Sequence, residues 1–109
     1  MKNLKAILEA RGYQIACRSD SFVAADTGAI IGRNWLTATK GDITVKHFYS
    51  GAQECISILW PDLNRIAEGC RGVPDEADYP MFTEAELCEL LDTGVIAGHS
   101  LYASWEDEQ

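Results

Sequence analysis

A chain of 109 residues, 47% hydrophobic and 24% charged, has the size and balance of one globular domain, which excludes wholesale disorder and leaves no room for a second domain. Its formal net charge of −8 disfavours direct contact with nucleic acid or anionic membranes. No apolar run approaches the roughly 20 residues that cross a bilayer, and Glu9 and Arg11 interrupt the first apolar stretch before a signal-peptide core forms, so a cytoplasmic protein is expected.

Asn3 is placed to cap a first helix, with Leu4, Ile7 and Leu8 on one face and Gly12 as its stop. From Tyr13 the period changes to two, since Tyr13, Ile15 and Cys17 alternate with Gln14, Ala16 and Arg18. Ser19-Asp20-Ser21 reads as a turn, Phe22 to Ala25 as a second short strand closed by Asp26-Thr27-Gly28, and a third strand starts at Ala29. The clearest hairpin has the arms Trp35–Thr39 and Ile43–Phe48 around Lys40-Gly41-Asp42, both rich in β-branched or aromatic residues.

Cys55, Ile58, Leu59, Leu63 and Ile66 keep helical spacing through Pro61, which predicts a kinked helix, or two abutting helices, ending at Gly69; a strand over Ile56–Trp60 is the alternative. Gly72, Pro74 and Pro80 mark an acidic loop at 72–80. A last helix is signed by a capping box, Thr83 with Glu86, by a staple of Phe82 against Leu87, by the stripe Leu87, Leu90 and Leu91, and by Gly94 as its stop. Leu101, Ala103 and Trp105 alternate as a final short strand before an acidic tail at 106–109.

The expected fold class is therefore α+β over a single domain, 1–109. An N-terminal helix, a mostly antiparallel sheet of three to five short strands, a central kinked helix and a capped C-terminal helix pack together.

Catalytic and metal chemistry has little footing here. Cys17, Cys55, Cys70 and Cys88 are separated by 38, 15 and 18 positions, which supplies no zinc knuckle. They read as free, partly buried thiols. A site assembled by folding from Cys55, Cys70, Cys88 and His99 is the remaining metal arrangement, and a small thiol enzyme the remaining catalytic one. His47 lies in a strand near aromatic residues and reads as a packed or surface side chain. No phosphate loop or dinucleotide fingerprint occurs. The expectation is no enzyme, no metal and no cofactor.

Charge is the informative feature. Residues 1–71 hold all nine Lys and Arg against seven acids, whereas residues 72–109 hold ten acids and no Lys or Arg. Such a block repels nucleic acid and raises encounter rates with basic surfaces. If the loop, the outer helix face and the tail lie together, they imitate the spaced charges of a nucleic-acid backbone. Asp75, Glu76, Asp78, Tyr79, Glu86, Glu89, Trp105, Glu106, Asp107 and Glu108 are the candidate partner-binding residues, with Tyr79, Phe82, Tyr102 or Trp105 as aromatic anchors if exposed.

Short length, acidic balance, a helix with antiparallel sheet and no catalytic motif together resemble small phage-encoded inhibitors of bacterial defence, notably anti-CRISPR proteins. The resemblance rests on overall character and on no diagnostic motif, so it transfers no functional residue. It implies inhibition by binding a basic nucleic-acid-handling protein, by covering or imitating a nucleic-acid site. The same description fits immunity proteins and antitoxins that block nucleases. A structural or accessory subunit that meets its partner through an apolar sheet face, or through Trp35 and Trp60, is the other reading.

Overall fold

The computed structural model describes residues 3–63, 65–74, 79–94 and the backbone of 102–103. In chain order these form α1 (Leu4–Ala10), β1 (Gln14–Val23), β2 (Ile30–Lys40), β3 (Ile43–Ser50), β4 (Gln53–Trp60), β5 (Arg65–Arg71), α2 (Glu84–Thr93) and the two-residue β6 (Tyr102–Ala103). The strands are paired in sequence order and antiparallel throughout, β1-β2-β3-β4-β5-β6. The α+β class and the antiparallel sheet agree with the sequence.

The central kinked helix does not exist. Gln53–Trp60 is β4, Pro61–Leu63 is one 3-10 turn, and Arg65–Arg71 is β5. Glu54, Ile56, Ile58 and Trp60 alternate inward along β4, but Cys55 and Leu59 on the other face are also apolar and mask the period of two. The missed signal was Gly51, whose φ of +58° makes the tight turn between β3 and β4 that a left-handed residue permits. Nor is there a turn at Ser19-Asp20-Ser21: β1 runs unbroken through it and pairs residue for residue with β2 from Gln14↔Thr39 to Val23↔Ile30. The five main strands are therefore fewer breaks and longer elements than the predicted short ones.

The hairpin at Gly41-Asp42 and the stop at Gly12 stand where the sequence puts them. So does the second helix. Thr83 Oγ accepts from the Glu86 N–H at 3.1 Å, Glu86 Oε1 accepts from the Thr83 N–H at 2.9 Å, and Gly94 closes the helix at φ +75°. Asn3 precedes α1 but makes no side-chain cap; its amide instead donates to Glu84 Oε2 at 3.3 Å.

One face of the sheet is covered. Leu4 and Leu8 of α1, Phe82, and Leu87 and Leu90 of α2 pack with Ala38, Val45, Ile56, Ile58, Trp60 and Ala67 in a single core. Asn3–Glu84 ties the helix starts and Arg11–Asp92 ties their ends, so the two helices lie side by side and parallel. The chain reaches α2 by crossing β5 at Gly69, where a Cβ would sit 3.0 Å from the Pro80 carbonyl and 3.1 Å from Met81 Cα. No side chain larger than hydrogen fits that crossing without displacing backbone.

Candidate functional site

The sheet's other face carries no helix among the described residues. Cross-strand register lines up Arg18, Trp35, Phe48, Cys55 and Cys70, one from each of five neighbouring strands. Because paired residues share a face, this row crosses the open side from edge to edge. A groove of about 690 Å³ follows it, bordered also by Thr37, Lys46, Ser57 and Glu68 of the next row and closed at one end by Val73 and Tyr79.

The row and its neighbours bring aromatic rings and guanidinium groups together on the open face. Trp35 and Phe48 have centroids 5.4 Å apart at 48°, and the Arg18 guanidinium lies 4.3 Å from the Trp35 ring centroid. Arg33 stands 4.9 Å from Phe22 and 5.3 Å from Trp35, held by a two-pronged bond to Asp20 at 2.7 and 2.8 Å.

At one end of the covered face lies a buried polar pair. His47 Nε2 donates to Glu54 Oε2 at 2.6 Å, each side chain about 95% buried, and Arg71 closes over the other carboxylate oxygen. With Nε2 committed to a carboxylate that can only accept, the imidazole is oriented as it would be in a catalytic dyad. Nothing nucleophilic stands at the next position in its row, which is Leu36 on β2 and Ile56 on β4.

Of the residues expected to bind a partner, Tyr79, Glu86 and Glu89 lie among the described residues. Glu86 and Glu89 share α2, but the Glu86 carboxylate is spent on the capping box; Glu89 is exposed. Tyr79 is half-buried at the far edge, where its carbonyl accepts from the Cys70 N–H at 2.7 Å. It borders the groove on the open face. Phe82 belongs to the core, and so does Trp60, which removes it as a contact residue; of the two described tryptophans, Trp35 is the half-buried one, on the open face of the sheet. Asp75, Glu76, Asp78, Trp105, Glu106, Asp107 and Glu108, the acidic loop and tail, lie outside the described residues.

Among the described residues, no three His, Cys, Asp or Glu side chains are grouped to hold a metal ion. Cys55 and Cys70 are cross-strand neighbours on the open face, while Cys88 sits on α2 across the sheet, so the folding-assembled site of these three with His99 does not form around them. His99 lies outside the described residues. Among the described residues, no helix is long and apolar enough to cross a membrane.

The Arg11–Asp92 contact shapes the electrostatics of the helical layer. The Arg11 Nε and a second guanidinium nitrogen donate to the two Asp92 oxygens at 2.8 and 3.0 Å, which holds that carboxyl below the usual aspartate range. A carboxylate in the last turn of a helix opposes the helix dipole, and the neighbouring guanidinium offsets it. Burial pushes the Tyr13 phenol up.

No family model matches the chain, and no curated protein or solved structure is significantly similar to it.

Proposed function

We propose that this protein acts by binding rather than by catalysis, as an inhibitor of the anti-CRISPR kind that engages a basic surface of a nucleic-acid-handling bacterial protein. The observation that carries this reading is α2, whose ten residues hold Glu84, Glu86, Glu89 and Asp92 and no base. Leu87 and Leu90 are buried and fix the helix's rotation, so the side carrying Glu89 is turned to solvent. The remaining acids of 72–109 continue this run, which contains no Lys or Arg in sequence, although Asp92 is paired with Arg11 at the end of the first helix. An immunity protein or antitoxin against a nuclease would use the same charge.

The test is capture from a bacterial lysate at low and high salt, followed by kinetics on the protein recovered. Reversing Glu89, Glu106, Asp107 and Glu108 to Lys is expected to slow association at least about tenfold at low salt and to flatten its salt dependence. Unchanged association overturns the electrostatic reading.

A second reading is favoured by the open sheet face. Here the protein is an accessory subunit that meets its partner through the Trp35–Phe48 row, with the acids serving solubility. Under this reading Trp35→Ala abolishes capture and the charge reversals do not.

A further inference from the structure

The two edges of the sheet differ. Beyond β5, the edge is occupied toward both ends: β6 pairs at Arg65 and Ile66, and Pro80 bridges Cys70. At the other edge β1 has no described neighbour beyond β2. In an antiparallel strand alternate residues direct their N–H and C=O groups to opposite sides, so β1 carries a second row of ten-residue length facing outward.

Natural edges are blunted by Pro, Lys or bulges. β1 contains no Pro and no Lys, and its register with β2 is unbroken. Its end also projects. β2 pairs with β3 only from Asn34 onward, so Asp20–Val23 and Ile30–Arg33 form a two-stranded arm beyond the third strand. The arm's apolar side chains are left in water, with Phe22 42%, Val23 64% and Ile30 78% exposed.

We propose that two copies of this chain pair antiparallel through β1, centred on Ser19, to form one continuous sheet. The register follows from symmetry and charge. A two-fold axis normal to the sheet keeps the same face upward in both copies, so it must pass between a residue and its own counterpart. The only charges on β1 are Arg18 and Asp20, of opposite sign and on the same face. Centring on Ser19 sets each Arg18 opposite Asp20 of the second copy. Centring one residue earlier sets Arg18 on Arg18, and one residue later sets Asp20 on Asp20; both are repulsive.

The same register gives new cross-strand neighbours to two of the exposed apolar groups, Phe22 and Val23. Val23 comes opposite Ile15 at the border of the core, and Phe22 opposite Ala16 on the open face. Each arm lies along the first half of the other copy's β1. Asp20 then stands between its own Arg33 and the second copy's Arg18, extending the cationic and aromatic row across both molecules.

Equilibrium sedimentation from about 10 μM to about 1 mM tests this. Wild type is expected to approach twice the 12.0 kDa chain mass as concentration rises. Arg18→Asp and Asp20→Arg, each checked for native circular dichroism, are expected to weaken self-association at least about tenfold. Mixed together, the two variants present two negative positions to two positive ones and should form a heterodimer that neither makes alone. A wild type that stays monomeric across the range, a dimer indifferent to both substitutions, or a mixture that fails to pair overturns the proposal.

Discussion

His47 and Glu54 are joined at 2.6 Å across the β3–β4 hairpin, both nearly excluded from solvent, on diagonal positions of one face. Losing either partner leaves the other buried and incompletely paired. His47→Ala or Glu54→Ala is expected to cost about 3–5 kcal/mol in urea unfolding. The double replacement by Ala should cost less than the two single losses combined, a coupling on the order of 1–3 kcal/mol. Strict additivity would show that the pair is not a unit.

Glu86 is a capping residue before it is a surface charge. Thr83→Ala should lower stability by about 1 kcal/mol, and Glu86→Lys by a similar amount, because it loses the return bond to the Thr83 N–H and sets a positive charge in the first turn. Glu89→Lys, outside the box, should cost under about 0.5 kcal/mol. Thermal melts of the three variants separate capping from general acidity.

Gly69→Ala is expected to destabilise by about 1–3 kcal/mol, since the new methyl meets the Pro80 and Met81 backbone within 3.1 Å. Gly32→Ala, also in a strand but with open space around its missing Cβ, should change stability by less than about 1 kcal/mol. Equal losses at the two sites would remove the crossing at Gly69 as the cause.

Stability should carry an acid-side signature from Arg11–Asp92. The folded carboxyl is held below its ordinary range, so its contribution is present above roughly pH 4 and is lost as pH falls through the depressed folded value. The contact is solvent-exposed and the effect correspondingly small. The gap in urea midpoint between wild type and Arg11→Gln should narrow between about pH 6 and about pH 2; a gap constant with pH would assign the loss to the guanidinium's other bond, to the Ile7 carbonyl.

The sequence by itself determined the elements whose signals are local. Thr83, Glu86 and Gly94 specify a helix by satisfying its own end groups, Gly41-Asp42 specifies a turn through backbone conformation, and the period of two places Ile15 inward; none of these needs a distant residue. The same holds for the charge split at residue 72, which is a property of order along the chain. Only the tertiary structure decided that 53–71 is two strands, because apolar residues on both faces of β4 leave the period ambiguous until the partner strands are present. It also decided that Trp60 is core and Trp35 is surface, and that Arg18, Trp35 and Phe48 form a row. These are matters of register and of which face the helices cover, which arise from pairing between segments far apart in sequence and leave no mark in any one of them.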